Sequence, residues 1–441
     1  MSKQNFILPL LLTVGLIIRL ILMPISAHSD LFAINNYPPL LIRQGVFDIY
    51  SYLDKKSPTL FFYPPLTYYL IGTFQYFDQV FSSTFLNWMD TQRALFENGF
   101  KGQASDYIIA APNPHIFRDL FLAKAPYLIF DMLSLCVLWN FFKKNYLSKY
   151  AIVVWVFNPA LLYNSYIFGH IDIIPVFFIL AAFYFLKRDS KLSFILLGVA
   201  GALKLYPFML VPLLVLIYSK SRKEMINYLL LSFLPLMFFL IPTMLNNPSL
   251  AISAFTVKLF QAYNGNIHGW EYYSNLIKYF IIALSYIILL LISWKSKIKD
   301  NFKMAVGVSL ISILLLLNFV YRAHFHYLLW LAPYTILWFK NVKVATIIIL
   351  IQALSFASYK ILVNPLQAGL FAPLNPVYFS SIPAFNEILN RYLPYKIFST
   401  LGFIIFSLVS LIIVVSIIYD IIFQEEVSYT PITSRLLKRN P

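Results

Sequence analysis

Long apolar runs recur along this chain and are separated by short basic clusters. They fall at roughly 6–23, 61–81, 119–142, 150–168, 171–186, 192–218, 225–245, 272–293, 304–320, 327–339, 342–363 and 396–423. An α-helix needs about 20 apolar residues to cross a bilayer. Because 60% of all residues are hydrophobic, too few polar residues remain to cover a soluble core. The pattern predicts an all-α, polytopic membrane helical bundle.

The basic residues explain the net charge of +16 without nucleic acid. They cluster between apolar runs, as cytoplasmic loops do under the positive-inside rule. The clusters are Lys143-Lys144 with Lys149, Lys187-Arg188 with Lys191, Lys220 to Lys223, Lys295 to Lys303, Lys340 with Lys343, and Arg435 to Arg439. If all are cytoplasmic, the number of crossings between neighbouring clusters is even. This parity bears on two ambiguous runs.

The run 192–218 has basic clusters at both ends, so it should enter the membrane and return. Lys204-Leu205-Tyr206-Pro207 lies at its middle, where proline removes a backbone donor and favours a turn. The run 61–81 should not cross, because a crossing would invert everything after it. Its Pro64-Pro65 and Asp78 also make it a weak span, so we interpret it as an interfacial helix.

These interpretations predict about twelve helices with both termini in the cytoplasm. The first helix, 1–23, is a retained anchor rather than a cleaved signal. A long external loop with interfacial helices follows at 24–117, then a catalytic module at 118–245. Further helices and external loops occupy 246–423, and 424–441 is a cytoplasmic tail.

All six histidines fall on the external side in this topology, as do four charged residues. The histidines are His28, His115, His170, His268, His324 and His326, and the charged residues are Asp30, Asp172, Lys204 and Arg322. Ionisable groups near membrane depth are costly and usually functional. We therefore expect a polar site on the external face.

Asp30 directly follows the first helix and has two interpretations. It could cap a short interfacial helix beginning at Leu31. It could instead accept a proton from an attacking hydroxyl at the mouth of a membrane cleft. Its position after the first helix favours the catalytic interpretation.

Two other motifs add polar groups on the same side. Tyr63-Pro64-Pro65-Leu66-Thr67 begins a helix rigidly, which favours a structural role. Gly169-His170-Ile171-Asp172 links two apolar runs, so His170 and Asp172 should stay near the ends of two helices. Asp172 is a second acid, a group that orients His170, or half of a simple helix-terminus pair.

Four residues supply positive charge for a phosphate on this face: Lys204, Arg322, His324 and His326. Snorkelling at a membrane boundary is the alternative for Arg322. The spacing of His324 and His326 could suit a metal, but no carboxylate lies in that loop, so we predict no metal site and no cofactor. Cys136, the only cysteine, excludes a disulfide framework.

The motifs together resemble the GT-C glycosyltransferases, which use lipid-phosphate-linked sugars. Tyr63-Pro64-Pro65-Leu66-Thr67 is similar to the YPPLT element of the asparagine-linked-glycosylation glucosyltransferases, and Asn158-Pro159-Ala160-Leu161 and Gly169-His170 are similar to their NP-A-L and GH elements. Gly169-His170-Ile171-Asp172 with Lys204-Leu205-Tyr206-Pro207 resembles prokaryotic mannosyltransferases related to GPI mannosyltransferase II. The resemblance covers the first half of the chain.

The resemblance implies a GT-C helical bundle in which the acid of the first external loop, Asp30, is catalytic. Many members carry two acids there, and this chain carries one, which favours a metal-independent mechanism. We expect a hexose, mannose rather than glucose, to move from a polyprenyl- or dolichyl-phosphate donor to a lipid-linked glycan, glycolipid or protein acceptor. Lys204, Arg322, His324, His326, His170, Asp172 and Tyr63 would bind the donor phosphate or sugar.

Two other function classes fit a chain with this many helices. A flippase for lipid-linked oligosaccharides usually has short loops and related halves, and no internal repeat is visible here. A polysaccharide polymerase would place its large external loop later, and 364–395 is long enough to keep that alternative open. The Lys- and Ile-rich composition favours a prokaryotic plasma membrane over the endoplasmic reticulum.

Overall fold

The computed structural model describes most of the chain. The described residues are 3–56, 63–100, 102–144, 147–186, 188, 190–252, 270–295, 301–320, 325–339, 341–360, 368–383 and 385–423. Within these ranges all regular structure is helical. The predicted all-α class is confirmed.

Eight helices make up the first third of the chain. They are α1 (Lys3–Ile25), α2 (Ser29–Asn35), α3 (Pro38–Gln44), α4 (Ile49–Lys56), α5 (Pro65–Asp78), α6 (Phe85–Glu97), α7 (Ala104–Ala110) and α8 (Ile116–Lys143). Six of them, α2 to α7, lie between the two long helices α1 and α8. Their buried residues form one hydrophobic core with those of α8.

The middle of the chain holds shorter helices around two breaks. They are α9 (Lys149–Val156), the helical turn α10 (Pro159–Leu161), a π-helix (Leu162–Phe168), α11 (Ile173–Phe185), α12 (Ser190–Leu203), a 3₁₀ turn (Tyr206–Met209), α13 (Leu210–Tyr218) and α14 (Arg222–Asn246).

The remaining helices complete the bundle. They are α15 (Trp270–Lys295), α16 (Asn301–Phe319), a 3₁₀ segment (Phe325–Leu331), α17 (Ala332–Trp338), α18 (Val342–Lys360), a 3₁₀ turn (Ala368–Phe371), α19 (Pro376–Ser381), α20 (Phe385–Asn390) and α21 (Tyr395–Phe423).

Seven helices in the described ranges are long and apolar enough to span a membrane, and four shorter apolar helices accompany them. Many residues of the long helices that point away from the core are large and hydrophobic, such as Leu230 in α14 and Ile412 in α21. A bilayer is the environment in which such a surface is stable. The protein is therefore an integral membrane protein that crosses the bilayer several times.

The helix α5, with 14 residues, is shorter than the apolar run 61–81 from which it forms. Such a helix is about 21 Å long, which is short of the hydrocarbon core. Pro64 precedes it with extended backbone, and Pro65 occupies its first turn, where proline is tolerated. Its Thr67 hydroxyl donates to the carbonyl of Leu203 at the end of α12, 2.8 Å away.

Two breaks in the apolar runs bring polar groups to one end of the bundle. At Asn158, the side-chain oxygen accepts from the backbone N–H groups of Ala160 and Leu161, so the asparagine starts a new turn before Pro159. The chain then winds as a π-helix to Gly169. At Lys204 and Leu205, α12 ends and the 3₁₀ turn that leads into α13 begins.

A buried polar cluster ties α1, α8 and the π-helix together. The Arg19 Nε lies 2.6 Å from Oδ2 of Asp131 and donates to it. Asp131 also accepts from the indole N–H of Trp155 and from the hydroxyl of Tyr166. The Arg19 guanidinium further donates to the carbonyl of Val156. Burying two charges is costly unless they are paired, and these contacts hold the three elements together.

Candidate functional site

The centre of the candidate site is an ion pair between two helix ends. Lys204 directly follows α12, and Asp172 directly precedes α11. The Lys204 ammonium lies 2.5 Å from Oδ1 of Asp172. The other carboxylate oxygen lies 3.0 Å from Nδ1 of His170 and accepts from the side-chain amide of Asn164 at 3.0 Å. Burial alone would raise the pKa of Asp172, but Lys204, His170 and His326 hold it well below its usual range. Asp172 is therefore a fixed negative charge.

Aromatic rings enclose Lys204. Its ammonium lies 4.8 Å from the centre of the Tyr327 ring and 5.0 Å from that of Trp330. The Trp330 ring stacks on Tyr206 with a 3.9 Å centroid distance. Burial lowers the pKa of Lys204, and the carboxylates of Asp172 and Asp30 oppose that shift. The faces of the rings attract the cation and exclude water, so Lys204 is held in one place.

Tyr63 connects the YPPLT segment to His170. Its hydroxyl lies 3.0 Å from Nε2 of His170. Its backbone carbonyl accepts from the Tyr50 hydroxyl, and its backbone N–H donates to the Tyr68 hydroxyl. Burial, and then the charge of Asp30, raises the pKa of Tyr63 well above its usual value. The Tyr63 hydroxyl thus stays protonated and can donate a hydrogen bond to His170.

His326 packs directly against His170. The two imidazole rings stack with a centroid distance of 4.3 Å. The side-chain amide of Asn164 donates both to the carbonyl of His326 and to Asp172, each at 3.0 Å. Asn164 therefore fixes the 3₁₀ segment that carries His326 against the turn that carries Asp172.

Asp30 does not cap a helix beginning at Leu31. The helix α2 begins at Ser29, and His28 is its N-cap, because its Nδ1 accepts from the backbone N–H of Asp30 at 3.1 Å. The His28 ring also stacks on Phe168 with a 3.7 Å centroid distance. Asp30 lies in the first turn, where a carboxylate is stabilised by the helix dipole. Its side chain is 39% exposed, so a hydroxyl can approach it.

Gly169 brings the Asp30 helix against the His170 turn. Its φ of +80° is rarely adopted by other residues. A Cβ added there would meet Leu31 and Lys124, each at 3.1 Å. Leu31 directly follows Asp30, so the start of α2 packs on the residue before His170.

The structure brings together most of the residues predicted for the site. Five of them surround one space, namely Tyr63, His170, Asp172, Lys204 and His326, and Asp30 lies beside it. Arg322 and His324 lie outside the described residues, as does His268. His115 is elsewhere, as an exposed residue before α8.

His170, Asp172 and His326 have the composition of a metal site, and their ligand atoms lie within 4.8 Å of one another. The surroundings fit a cation poorly, because Lys204 and Asn164 already donate to the Asp172 carboxylate. A second positive charge at that position would be repelled by the ammonium. The same donors suit an anion, which prefers N–H groups and cations.

Sequence reasoning missed several residues that hold the site. Asn164 carries no signal beyond its type. Lys124, Arg19 and Asp131 did carry one, because each is an ionisable residue inside an apolar run. All three are fully buried and make polar contacts with neighbouring segments.

The helical bundle and the buried ion pair of Lys204 and Asp172 define a membrane protein with several spans and a polar site at the ends of its helices. Residues 120–332, just under half of the chain, match the model of glycosyltransferase family 87. No curated protein and no solved structure matches the chain. The family match supports a membrane-embedded glycosyltransferase. The matched segment includes His170, Asp172, Lys204 and His326, and it leaves out Asp30 and Tyr63.

Proposed function

We propose that the protein transfers a hexose from a polyprenyl-phosphate donor to an acceptor on the external face of the membrane. The observation that carries this proposal is the anchored Lys204, which His170 and His326 flank, next to a carboxylate with an exposed side chain, Asp30. Transfer from a sugar phosphate requires a base next to cations or N–H donors that stabilise the leaving phosphate.

Asp30 is the general base in this mechanism. The acceptor hydroxyl approaches the exposed side of its carboxylate and gives it a proton as the oxygen attacks the anomeric carbon. The bond between that carbon and the phosphate oxygen breaks on the opposite side, and its electrons leave with the polyprenyl phosphate. A single in-line displacement of this kind inverts the configuration of the sugar.

The departing phosphate gains negative charge as the bond breaks. Lys204 and the two stacked imidazoles of His170 and His326 stabilise that charge, and Asp172 keeps the lysine in place. Tyr63 orients His170 through its hydroxyl. Arg322 and His324, which precede the 3₁₀ segment in sequence, add further positive charge. Donors held in position before the reaction stabilise developing charge without reorganisation.

The donor sugar is mannose rather than glucose, and the donor lipid is polyprenyl or dolichyl phosphate. These choices rest on the similarity of Gly169-His170-Ile171-Asp172 and Lys204-Leu205-Tyr206-Pro207 to prokaryotic mannosyltransferases. The acceptor is a lipid-linked glycan, a glycolipid or a protein. The basic clusters between apolar runs support the external position of the site. The Lys- and Ile-rich composition supports a prokaryotic plasma membrane.

The test uses detergent-solubilised protein, radiolabelled polyprenyl-phosphate-mannose or polyprenyl-phosphate-glucose, and a total membrane extract from the source cells as acceptor. We expect one labelled hexose per acceptor. Label that moves only across intact vesicles would identify a flippase, and labelled chains of many sugars would identify a polymerase. Either outcome contradicts the proposal.

The catalytic part has its own test. We expect Asp30→Asn to lower the transfer rate by at least about a hundredfold, because general bases contribute roughly 10²–10⁴-fold. The matched control is Asp54→Asn, which neutralises an exposed acid in the last turn of α4. An unchanged rate in folded Asp30→Asn would exclude this residue as the base.

A further inference from the structure

Lys124 is a fully buried lysine that lies next to the candidate site. It belongs to α8, and its Nζ donates to the carbonyl of Ser26 at 2.6 Å, to the hydroxyl oxygen of Ser26 at 3.1 Å and to the carbonyl of Tyr166 at 2.7 Å. These three oxygens match the three donors of an ammonium group. Among the described residues, no carboxylate forms an ion pair with it.

The two partners of Lys124 occupy equivalent places in the site. Ser26 directly follows α1 and precedes Asp30 by four residues, whereas Tyr166 lies in the π-helix and precedes His170 by four residues. The Ser26 hydroxyl lies 2.8 Å from the Tyr166 carbonyl. Lys124 therefore sits where the chain leading to Asp30 meets the chain leading to His170.

Lys124 also touches the turn between these segments. A Cβ on Gly169 would come within 3.1 Å of Cε of Lys124, so the lysine side chain packs closely against the glycine. Burying a charge with only neutral oxygen partners is expensive, and such residues in membrane proteins usually serve function rather than stability.

We propose that Lys124 is a positioning residue for glycosyl transfer, which sets the distance between Asp30 and the His170–Lys204 pocket by binding both chain segments. The inference rests on the function proposed above. Lys124 does not touch the reacting groups, and it acts through Ser26 and Tyr166. A displacement of about 1 Å between base and leaving group can cost roughly a hundredfold in rate.

Two neutral replacements separate hydrogen bonding from charge. Lys124→Gln keeps an N–H donor, and Lys124→Met has a similar volume without one. If the hydrogen bonds position Asp30, kcat with polyprenyl-phosphate-mannose falls at least tenfold in Lys124→Met and less in Lys124→Gln, while KM for the donor changes less than threefold. An equal rise in donor KM for both variants would show that the charge alone matters and would overturn the proposal.

The matched control is Ser134→Ala in the same helix. Ser134 is also fully buried, but its hydroxyl bonds only to the carbonyl of Phe130 one turn away. We expect its kcat to equal that of the wild type. A lower melting temperature in Lys124→Met with unchanged kcat per folded molecule would assign the lysine a purely structural role.

Hydrogen exchange of the ligand-free protein provides a readout that needs no substrate. Amides in 26–32 and 166–172 should exchange faster in Lys124→Met than in the wild type and should keep the wild-type rate in Ser134→Ala. Unchanged exchange in both segments would overturn the positioning role. If exchange responds but no hexose is ever transferred, the function proposed above fails while the link between the two segments stands.

Discussion

The Lys204 ammonium lies 2.5 Å from Oδ1 of Asp172, and the two groups form a buried ion pair. The contact joins the end of α12 to the start of α11. Because Asp172 is fully buried and Lys204 nearly so, removal of one partner leaves the other charge buried without this counter-ion. A substitution that neutralises one of the two charges should therefore change both the free energy of unfolding and the charge of the pocket.

This coupling predicts how Asp172→Asn behaves. It should lower the free energy of unfolding by about 3–5 kcal/mol, because Lys204 would stay buried beside a neutral amide. The double variant Lys204→Met with Asp172→Asn should recover part of that loss but no transfer activity. Thermal unfolding in detergent measures both. Strictly additive losses would contradict the coupling.

The Tyr63 hydroxyl predicts a second, smaller effect. Tyr63→Phe removes the hydrogen bond to His170 and should cost about 0.5–1.5 kcal/mol of stability. The transfer rate should fall about tenfold, since the imidazole would lose the donor that fixes its orientation. The control is Tyr52→Phe, which removes a hydroxyl that donates to Glu97 rather than to a residue of the pocket. Equal rates for the two variants would argue against this role for Tyr63.

The cap at His28 predicts a difference between two replacements. Asparagine is a good N-cap and alanine is not, so His28→Asn should be about 1 kcal/mol more stable than His28→Ala. Both variants lose the stacking on Phe168. Parallel chemical denaturation curves with coincident midpoints would show that the cap contributes nothing.

Asp78 predicts a pH dependence of stability. Burial, and then the charge of Asp119, raises the pKa of Asp78 to about 7. The pKa of an aspartate in the unfolded chain is about 4, so between about pH 4 and pH 7 the folded protein binds a proton that the unfolded chain has lost. Stability contributed by this proton is therefore lost as pH rises to about 7.

Asp78→Asn cannot ionise, so it should remove this loss. Its melting temperature should exceed that of the wild type clearly at pH 8 and much less at pH 4. Asp54→Asn, at an exposed position, is the control and should follow the wild-type curve. An Asp78→Asn curve parallel to that of the wild type would contradict the raised pKa.

Chelation tests whether a metal takes part in transfer. Because Lys204 and Asn164 already donate to the Asp172 carboxylate, we expect the transfer rate to stay the same after treatment with EDTA. A rate lost with EDTA and restored by Mg²⁺ or Mn²⁺ would instead place a metal ion among His170, Asp172 and His326.

The sequence predicted the fold class because apolar runs and their lengths follow directly from the bilayer. The number of crossings stays a prediction. Seven described helices are long enough to span, whereas others are short or broken, as at Asn158 and Lys204. Hydropathy averages over such breaks, so it does not locate them.

The residue types, together with their predicted position on the external side of the membrane, also identified many of the groups that surround the pocket, including His170, Asp172 and Lys204. The contacts that hold them could not be predicted, because they join residues far apart in sequence. Asn164 meets His326 across 162 positions, and Tyr63 meets His170 across 107. Helix packing decides such pairs, and no local pattern encodes them.

The contact between Arg19 and Asp131 constrains how the protein is made. The two residues are 112 positions apart, so α1 leaves the ribosome long before its partner helix exists. Until then, the Arg19 charge cannot settle in hydrocarbon without a large cost. The first helix therefore reaches its full stability in the bilayer only after α8 is present. Stable pairing of α1 with α8 thus depends on more than a hundred further residues of synthesis.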